Sequence, residues 1–268
     1  MNDFNFFPEY SEGYKNNGSK KYKKGELYKI KNEDVAMSRK LITEITSKLT
    51  NQNNKFSKFY YIAHINNLNS ILKKGIKPRN HVINRNYSPV DISNANVQRY
   101  RDFNINLSDG INAHIKDCVP LFFTPLHPML YVIQNLINEI VIISISIDVL
   151  RDKTVSYAFS DKNAADSTVN IYNNFEYLDN LHWDIITGEY WSDRFYGTEF
   201  ETWKENRMAE FFIYPDIGTI FIEDLICANS IAYKEIESVV KNVCLEHPDF
   251  YSNELTKDIK IVDDINLS

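Results

Sequence analysis

The sequence predicts an α+β domain built on a mixed or antiparallel sheet, and three observations carry that reading. Short runs of β-branched and aromatic residues recur along the chain. Helical patterns stand between some of them, without the regular strand–helix–strand rhythm of a doubly wound parallel sheet. The length, 268 residues, is enough for one large core, or for one domain with an appendage.

In chain order, residues 1–32 are polar, carry Gly13 and Gly18, and include a basic cluster at Lys20, Lys21, Lys23 and Lys24; they read as an arm. Asn32-Glu33-Asp34 starts a helix with acids in its first turn, and Val35, Leu41, Ile42, Ile45 and Leu49 share one face. The pattern fades into Asn51-Gln52-Asn53-Asn54-Lys55. Residues 1–55 are therefore expected to be an accessory arm and helix, and 56–268 the main domain. Phe59 to His64 reads as its first strand. Asn66-Asn67 is expected to cap a short helix bearing Leu68, Ile71 and Leu72, ended by Gly75 with Pro78 beyond. Residues 79–117 are polar and weakly periodic, a long loop region that is either functional or partly disordered.

Val119 to Thr124 is a strand, and Pro128 opens a helix through Met129, Tyr131, Val132, Leu136 and Ile137. Glu139 to Ile147 is strongly β-branched and is expected to be a central strand. Val155 to Phe159 is another strand, Ala164 to Tyr172 reads as a helix, and aromatic-rich loops run from Phe175 to Asn206. Strands at Met208–Tyr214 and Thr219–Cys227 and a helix at Ile231–Val243 complete the domain.

Several classes of function are disfavoured. No apolar stretch approaches the roughly 18 residues of a membrane span, and Met1 to Tyr10 lacks the basic start and apolar core of a secretory signal. Cys118, Cys227 and Cys244 are scattered, and His64, His81, His114, His127, His182 and His247 lack metal spacing. The expectation is a cytoplasmic, metal-free protein without membrane contact. There is no P-loop, no dinucleotide-binding glycine fingerprint and no nucleophile elbow. The net charge of −6 is unevenly spread. Residues 1–120 carry 20 Lys+Arg against 11 Asp+Glu, net +9, whereas residues 121–268 carry 10 against 25, net −15. A basic first half can bind phosphates despite the acidic total, unless folding interleaves the halves and erases the asymmetry.

The most informative residue is Glu210, in Asn206-Arg207-Met208-Ala209-Glu210-Phe211-Phe212-Ile213-Tyr214. Strand alternation puts Met208, Glu210, Phe212 and Tyr214 on one face. A carboxylate among large apolar side chains costs free energy unless it reaches solvent, is paired, or is used. Three further features stand beside it: a polar loop bearing Arg99 and Arg101, a first strand ending in Tyr60-Tyr61-Ile62-Ala63-His64, and the phrase Asp117 to Tyr131, with Pro120-Leu121-Phe122-Phe123-Thr124-Pro125 at its centre.

In that combination the chain resembles the DarT family of NAD-dependent DNA ADP-ribosyltransferase toxins. The blocks run in order: Phe59-Tyr60-Tyr61-Ile62-Ala63-His64-Ile65-Asn66-Asn67-Leu68 with Gly75-Ile76; Val97-Gln98-Arg99-Tyr100-Arg101; Val119 to Tyr131; Phe159-Ser160-Asp161-Lys162-Asn163-Ala164-Ala165; Trp183-Asp184 with Tyr190-Trp191-Ser192-Asp193; and Arg207-Met208-Ala209-Glu210-Phe211-Phe212, where the family carries its catalytic Glu. The likeness spans roughly residues 59–243 and leaves the N-terminal segment outside. The chain departs from the family pattern at Tyr61, where His or Arg is frequent, at Ala63, where Thr is usual, and at Asp161-Lys162-Asn163-Ala164, where the family reads Asp-Gly-His-Ala.

The resemblance implies an ADP-ribosyltransferase-like split mixed sheet with flanking helices and NAD in the cleft between its halves. It implies transfer of ADP-ribose from NAD to a base in single-stranded DNA, release of nicotinamide, toxicity, and a macrodomain antitoxin that removes the mark. RNA or protein as acceptor, and a nucleotide-binding module without turnover, stand as the alternatives.

Cleavage of the nicotinamide–ribose bond creates an oxocarbenium-like centre, beside which the Glu210 carboxylate stabilises developing charge and can take a proton from the acceptor. Arg99 or Arg101 holds a phosphate or polarises the base; spacing does not say which. Tyr60, Tyr61, Ala63, His64, Asn67 and Asn163 are the residues expected around the dinucleotide, with Tyr60 or Tyr61 stacking on a ring. His64 either bonds a ribose hydroxyl or is a strand histidine satisfied by backbone. Trp183, Trp191 and Trp203 either stack on bases or pack the interior, and for Trp183 packing is preferred.

Overall fold

A computed structural model describes residues 58–85, 88–186, 198–247 and 259–261. The sequence-predicted helix over 35–49, the Asn-rich boundary at 51–55 and the basic cluster at Lys20–Lys24 lie outside the described residues.

The strands are β1 (Lys58–His64), β2 (Asn104–Asn106), β3 (Asn112–His114), β4 (Val119–Phe122), β5 (Ile140–Ser146), β6 (Ser156–Ser160), β7 (Ile171–Tyr172), β8 (Glu210–Tyr214), β9 (Ile222–Cys227) and β10 (Ile259–Ile261). The α-helices are α1 (Ile65–Lys74), α2 (Arg79–Asn84), α3 (Ala95–Tyr100), α4 (Pro128–Val132), α5 (Trp183–Ile186), α6 (Thr198–Arg207) and α7 (Ser230–Glu246). Eight strands form one sheet in the order β10-β9-β5-β1-β4-β8-β6-β7, and β2 and β3 form a separate hairpin. Every neighbour in the large sheet is antiparallel except β10, which runs parallel to β9.

The sheet is nearly two sheets. β1 and β5 pair over seven positions, from Lys58↔Ser146 to His64↔Ile140, whereas β1 and β4 meet at the single pair Tyr60↔Phe122. One half is thus β10-β9-β5-β1 and the other β4-β8-β6-β7, joined at one point, the split form that the family resemblance implies. β5, with six of its seven residues buried, is interior as expected from its Ile and Val content.

The main core lies on the face presented by Phe59, Ala63, Leu121, Ile143, Ile145 and Phe211. α1 turns Leu68, Ile71 and Leu72 onto it, and α7 adds Ala232, Ile236, Val240 and Val243 at helical spacing. Gly75 ends α1 at φ +76°, its N–H on Ile71 O at 2.8 Å, and a Cβ there would sit 2.2 Å from Ile217 O, so only glycine fits. Aromatic rings fill the β8 side: Phe211 lies 4.4 Å from Phe59 and 6.1 Å from Phe159, and Trp183 meets Phe123 edge-on at 5.3 Å.

Four expectations need correction. The region 79–117 is not one long loop; α2, α3 and the β2–β3 hairpin occupy most of it. The helix expected at 164–172 is absent: Asn163 Oδ1 accepts from Ala165 N, and Asp166 Oδ1 accepts from Thr168 N, so polar side chains take the amides a helix would need, and β7 follows. The stretch 175–206 is not all loop either, since a 3-10 turn, α5 and most of α6 fall there. The cap of α1 also differs: His64 Nδ1, not Asn66 or Asn67, accepts from Asn66 N at 3.1 Å. The charge asymmetry is partly erased. Lys58, Lys73, Lys77 and Arg101 from the basic half pair with Asp224, Glu246, Asp216 and Glu210 from the acidic half.

Candidate active site

Register places a single row of side chains across the sheet: Asp224, Ser144, Tyr60, Phe122, Glu210. Directly opposed residues in antiparallel strands share a face, so all five project to the side opposite the main core. Glu210 ends this row in the β4-β8-β6-β7 half of the sheet. It is the first residue of β8, only two residues after α6 closes, and it is 1% exposed.

Its carboxylate is enclosed by donors. Arg101 Nη2 lies 2.6 Å from Oε1 and 2.5 Å from Oε2, and Ala164 N donates to Oε2 at 2.9 Å. The backbone N–H of Glu210 donates to Ser160 Oγ at 3.2 Å, and that hydroxyl in turn donates to Lys162 O at 2.7 Å. The turn after β6 is therefore built around Glu210, and Asn163 Oδ1 also accepts from Arg101 Nη2 at 3.2 Å. Charge-assisted bonds of this length are the strong kind, and they repay part of the cost of burying the carboxylate.

Arg101 arrives as the residue that closes α3, whose start is capped by Asn94 Oδ1 on Asn96 N and Val97 N. Arg99, two residues earlier, points elsewhere and is exposed. The structure thus separates the two arginines that spacing left equivalent. Arg101 Nε is buried with no hydrogen-bond partner among the described residues, and the same holds for His127 Nε2. Native interiors rarely leave such donors orphaned, because each costs about 1–3 kcal/mol.

His127 went unassigned in the sequence reading. It is 2% exposed, stacks on Phe122 at 3.7 Å between ring centroids, and accepts Met129 N at Nδ1, 3.1 Å away, as the cap of α4. Burial, then the positive charges of Arg101 and Arg207, push its pKa down to about 3. It is a neutral imidazole, and with Nδ1 accepting, its proton sits on Nε2. Arg207, 1% exposed, donates from Nε to Leu126 O at 3.3 Å and from Nη1 to Ile185 O at 2.7 Å, so it ties the turn before α4 to α5. Burial lowers its pKa to about 10, which still leaves it charged at neutral pH. The one sequence signal for these residues was their place inside the family-like blocks.

The other expected contacts divide. Tyr60 lies on the Glu210 face, half-buried against the cluster that contains Ile62, Phe122 and Leu130. Tyr61 and Ala63 belong to the main core on the opposite face, and burial pushes the Tyr61 hydroxyl up to about 12. Both His64 nitrogens are engaged, Nδ1 in the α1 cap and Nε2 with Glu139 Oε2 at 3.0 Å. Asn67 clips the segment before α3 to α1, its amide bonding Val90 O and Val90 N at 2.9 Å each. Asn163 holds Arg101 and its own turn. Trp183 is interior, its Nε1 on Leu178 O at 2.8 Å, and Trp203 is buried under Arg207, so neither offers a face to a base. Trp191 lies outside the described residues. Among the described residues no group of His, Cys, Asp and Glu is arranged to hold a metal, and no helix is long and apolar enough to cross a membrane.

Comparison with known proteins identifies the family and the fold. The family described as DarT, ssDNA thymidine ADP-ribosyltransferase, matches residues 60–254. A DNA ADP-ribosyl transferase of Thermus aquaticus is 24% identical over 200 residues, 72% of this chain and 82% of the relative. One from a Thermus sp. is 26% identical over 192 residues, 68% and 86% of the two chains. A transferase–DNA ADP-ribosyl glycohydrolase fusion protein of Thermosipho africanus is 24% identical over 196 residues, 47% of its length. The solved structure of Thermus sp. 2.9 DarT in complex with ADP-ribosylated ssDNA matches with a TM-score of 0.58 at 23% identity, covering 71% of this chain and 90% of that one. The same protein in complex with NAD+ gives 0.57 at 21% identity, covering 78% and 96%. These structures share the fold described above.

Proposed function

The chain belongs to the DarT family of single-stranded-DNA thymidine ADP-ribosyltransferases, and on that premise we propose that Glu210 and Arg101 carry the transfer and that the acceptor base is thymine. The chain is an NAD-dependent enzyme that moves ADP-ribose onto a base in single-stranded DNA and releases nicotinamide. One observation carries the residue assignment: the buried Glu210 carboxylate clamped by Arg101 Nη2 at 2.5 and 2.6 Å, on a sheet face where Arg101 Nε and His127 Nε2 meet no acceptor among the described residues.

In this reading Glu210 faces the ribose carbon whose bond to nicotinamide breaks. Its negative charge stabilises the oxocarbenium character as nicotinamide leaves with the bonding pair. Arg101 and the Ala164 N–H fix the carboxylate beforehand, so little reorganisation is needed at the moment of reaction. The ring nitrogen of the base attacks that carbon and passes its proton to Glu210. Arg101 meets both carboxylate oxygens through one nitrogen, so part of that contact yields to the incoming N–H.

Tyr60 is the aromatic residue positioned to border the nicotinamide end, since it shares the Glu210 face. Tyr61, Ala63, His64 and Asn67 act from behind, by shaping β1 and α1. Arg99, exposed near the site, contacts a DNA phosphate. The N-terminal residues 1–55 serve as an accessory element, a reading supported by the family match beginning at residue 60. A glycohydrolase antitoxin of macrodomain type reverses the mark; the Thermosipho fusion of transferase with glycohydrolase supports this pairing. The enzyme works in the cytoplasm, and no metal takes part.

The deciding experiment supplies labelled NAD with single-stranded oligonucleotides that contain or lack thymidine, alongside RNA and protein. Label on thymidine-containing DNA, lost in Glu210→Gln, is the expected result. Label on RNA or protein instead changes the acceptor, and nicotinamide release equal in the Glu210→Gln variant removes Glu210 from the chemistry.

A further inference from the structure

His127 does more than close a helix. An N-cap needs only an acceptor, and the short side chain of Ser, Thr, Asp or Asn supplies one without an imidazole ring reaching on into the interior. His127 supplies the acceptor at Nδ1 and, as a consequence, points a proton-bearing Nε2 into the interior, where it meets no acceptor among the described residues. The Arg101 Nε–H is orphaned likewise, and the Arg101 charge acts directly on the His127 ring. The ring lies flat on Phe122, the residue paired in register with Glu210. Two unmatched N–H donors therefore lie on the Glu210 side of the sheet, one of them on the arginine that clamps the carboxylate.

We propose that His127 is a catalytic residue of the transfer: its Nε2–H and the Nε–H of Arg101 together donate to a carbonyl oxygen of the acceptor base held against Glu210. The inference rests on the reading of Glu210 and Arg101 given above. As the base loses its ring N–H proton to Glu210, negative charge spreads onto the adjacent carbonyl oxygen, and fixed donors at that oxygen are worth most when the charge is greatest. The nitrogen then bonds to the ribose carbon as nicotinamide departs as a neutral molecule, and the charge on the oxygen disappears. A neutral histidine suits this place. An imidazolium would return a proton to the base anion and quench the nucleophile, and the enclosure by Phe122, Arg101 and Arg207 keeps His127 from becoming one.

The test compares His127→Asn with wild type in single-turnover transfer at saturating NAD and thymidine-containing single-stranded DNA. Asparagine keeps a capping acceptor for α4 but has no donor at the Nε2 position. The expected result is a fall in rate of about tenfold or more, as for loss of one donor to a developing oxyanion. A rate within about twofold of wild type overturns the proposal. A raised KM for NAD with an unchanged rate at saturation also overturns it, because the donor would then serve the dinucleotide. A second measurement needs no variant. In wild-type protein with 15N-labelled histidine, the Nε2–H resonance of His127 moves downfield on adding thymidine-containing DNA, and much less with DNA carrying an abasic site at the target position. Equal response to both oligonucleotides overturns the assignment. Failure of wild type to label DNA at all is a different outcome and rejects the underlying function instead.

Discussion

Two buried acids stand on the same cross-strand row, Asp224 at one end and Glu210 at the other, with Tyr60 midway. Each has a serine neighbour and a cation. Ser144 Oγ donates to Asp224 Oδ2 at 3.0 Å and accepts Asp224 N at 2.8 Å, and Lys58 Nζ reaches Oδ2 at 2.5 Å. Burial alone would lower the Lys58 pKa, yet its bonds to Asp224 and Glu223 raise it. A buried carboxylate with a salt bridge therefore does not mark a catalytic centre by itself. The difference lies in what surrounds the pair. Lys58 opens to solvent and is shared with Glu223, so the Asp224 group is a structural tie. Around Glu210 the cation is a buried arginine, and donors are left over on Arg101 and His127. We read surplus donors, rather than burial or pairing, as the mark of the working end of the row.

Matched substitutions at the two acids should give the largest contrast. Glu210→Gln is expected to lower the transfer rate by at least about a hundredfold, in line with loss of electrostatic stabilisation in the transition state, and to lower the melting temperature as well, because the buried Arg101 charge loses its partner. Asp224→Asn should leave the rate within about threefold. It should lower the melting temperature by about 2–8 °C, since it breaks a tie worth about 1–2 kcal/mol after allowance for screening at Lys58. Kinetics and thermal melts on both variants decide it; the reverse pattern would make Asp224 the functional acid.

Next in size is the contrast between arginines. Arg101→Ala removes the partner of a buried carboxylate and should cost about a hundredfold in rate. Arg99→Ala should cost little at low salt but flatten the dependence of DNA affinity on salt by about one unit of slope, the signature of one phosphate contact. Equal effects at the two positions would contradict the separation that α3 imposes.

The third test uses pH. His127 has a folded pKa near 3 against about 6.5 when unfolded, so the unfolded chain takes up its proton first as pH falls. Its contribution is intact above pH 6.5 and is lost progressively toward pH 3, about 2 kcal/mol of it between pH 7.5 and 5. Urea titrations at those two pH values should show a smaller loss in His127→Asn than in wild type. The Asp224→Asn variant should keep the wild-type slope over the same interval.

The smallest expected effect is at Asn67. Replacement by Ala frees Val90 and should cost about 1 kcal/mol without altering the rate at saturating NAD, because its amide is spent on backbone. A large fall in that rate would return Asn67 to direct substrate contact.

The pattern of residues along the chain established the α+β class, the strands at Phe59, Val119, Glu139 and Met208, and the anomaly of Glu210. Periodicity and β-branching are local properties, and a carboxylate among phenylalanines is visible without coordinates. It also determined the family, because ordered blocks survive divergence. The rest depended on how the chain packs. Spacing could not separate Arg99 from Arg101, since both sit at one helix end and only one of them turns inward. The helix expected at 164–172 was lost to Asn163 and Asp166, whose side chains compete for backbone amides in a turn that Glu210 organises. His127 carried no signal of its own: its neutrality arises from burial, with nearby Phe122 stacked on the ring, and from Arg101 and Arg207, two residues brought to it from elsewhere in the chain. Proton affinity and hydrogen-bond satisfaction are properties of an environment, and folding makes that environment from residues distant in sequence.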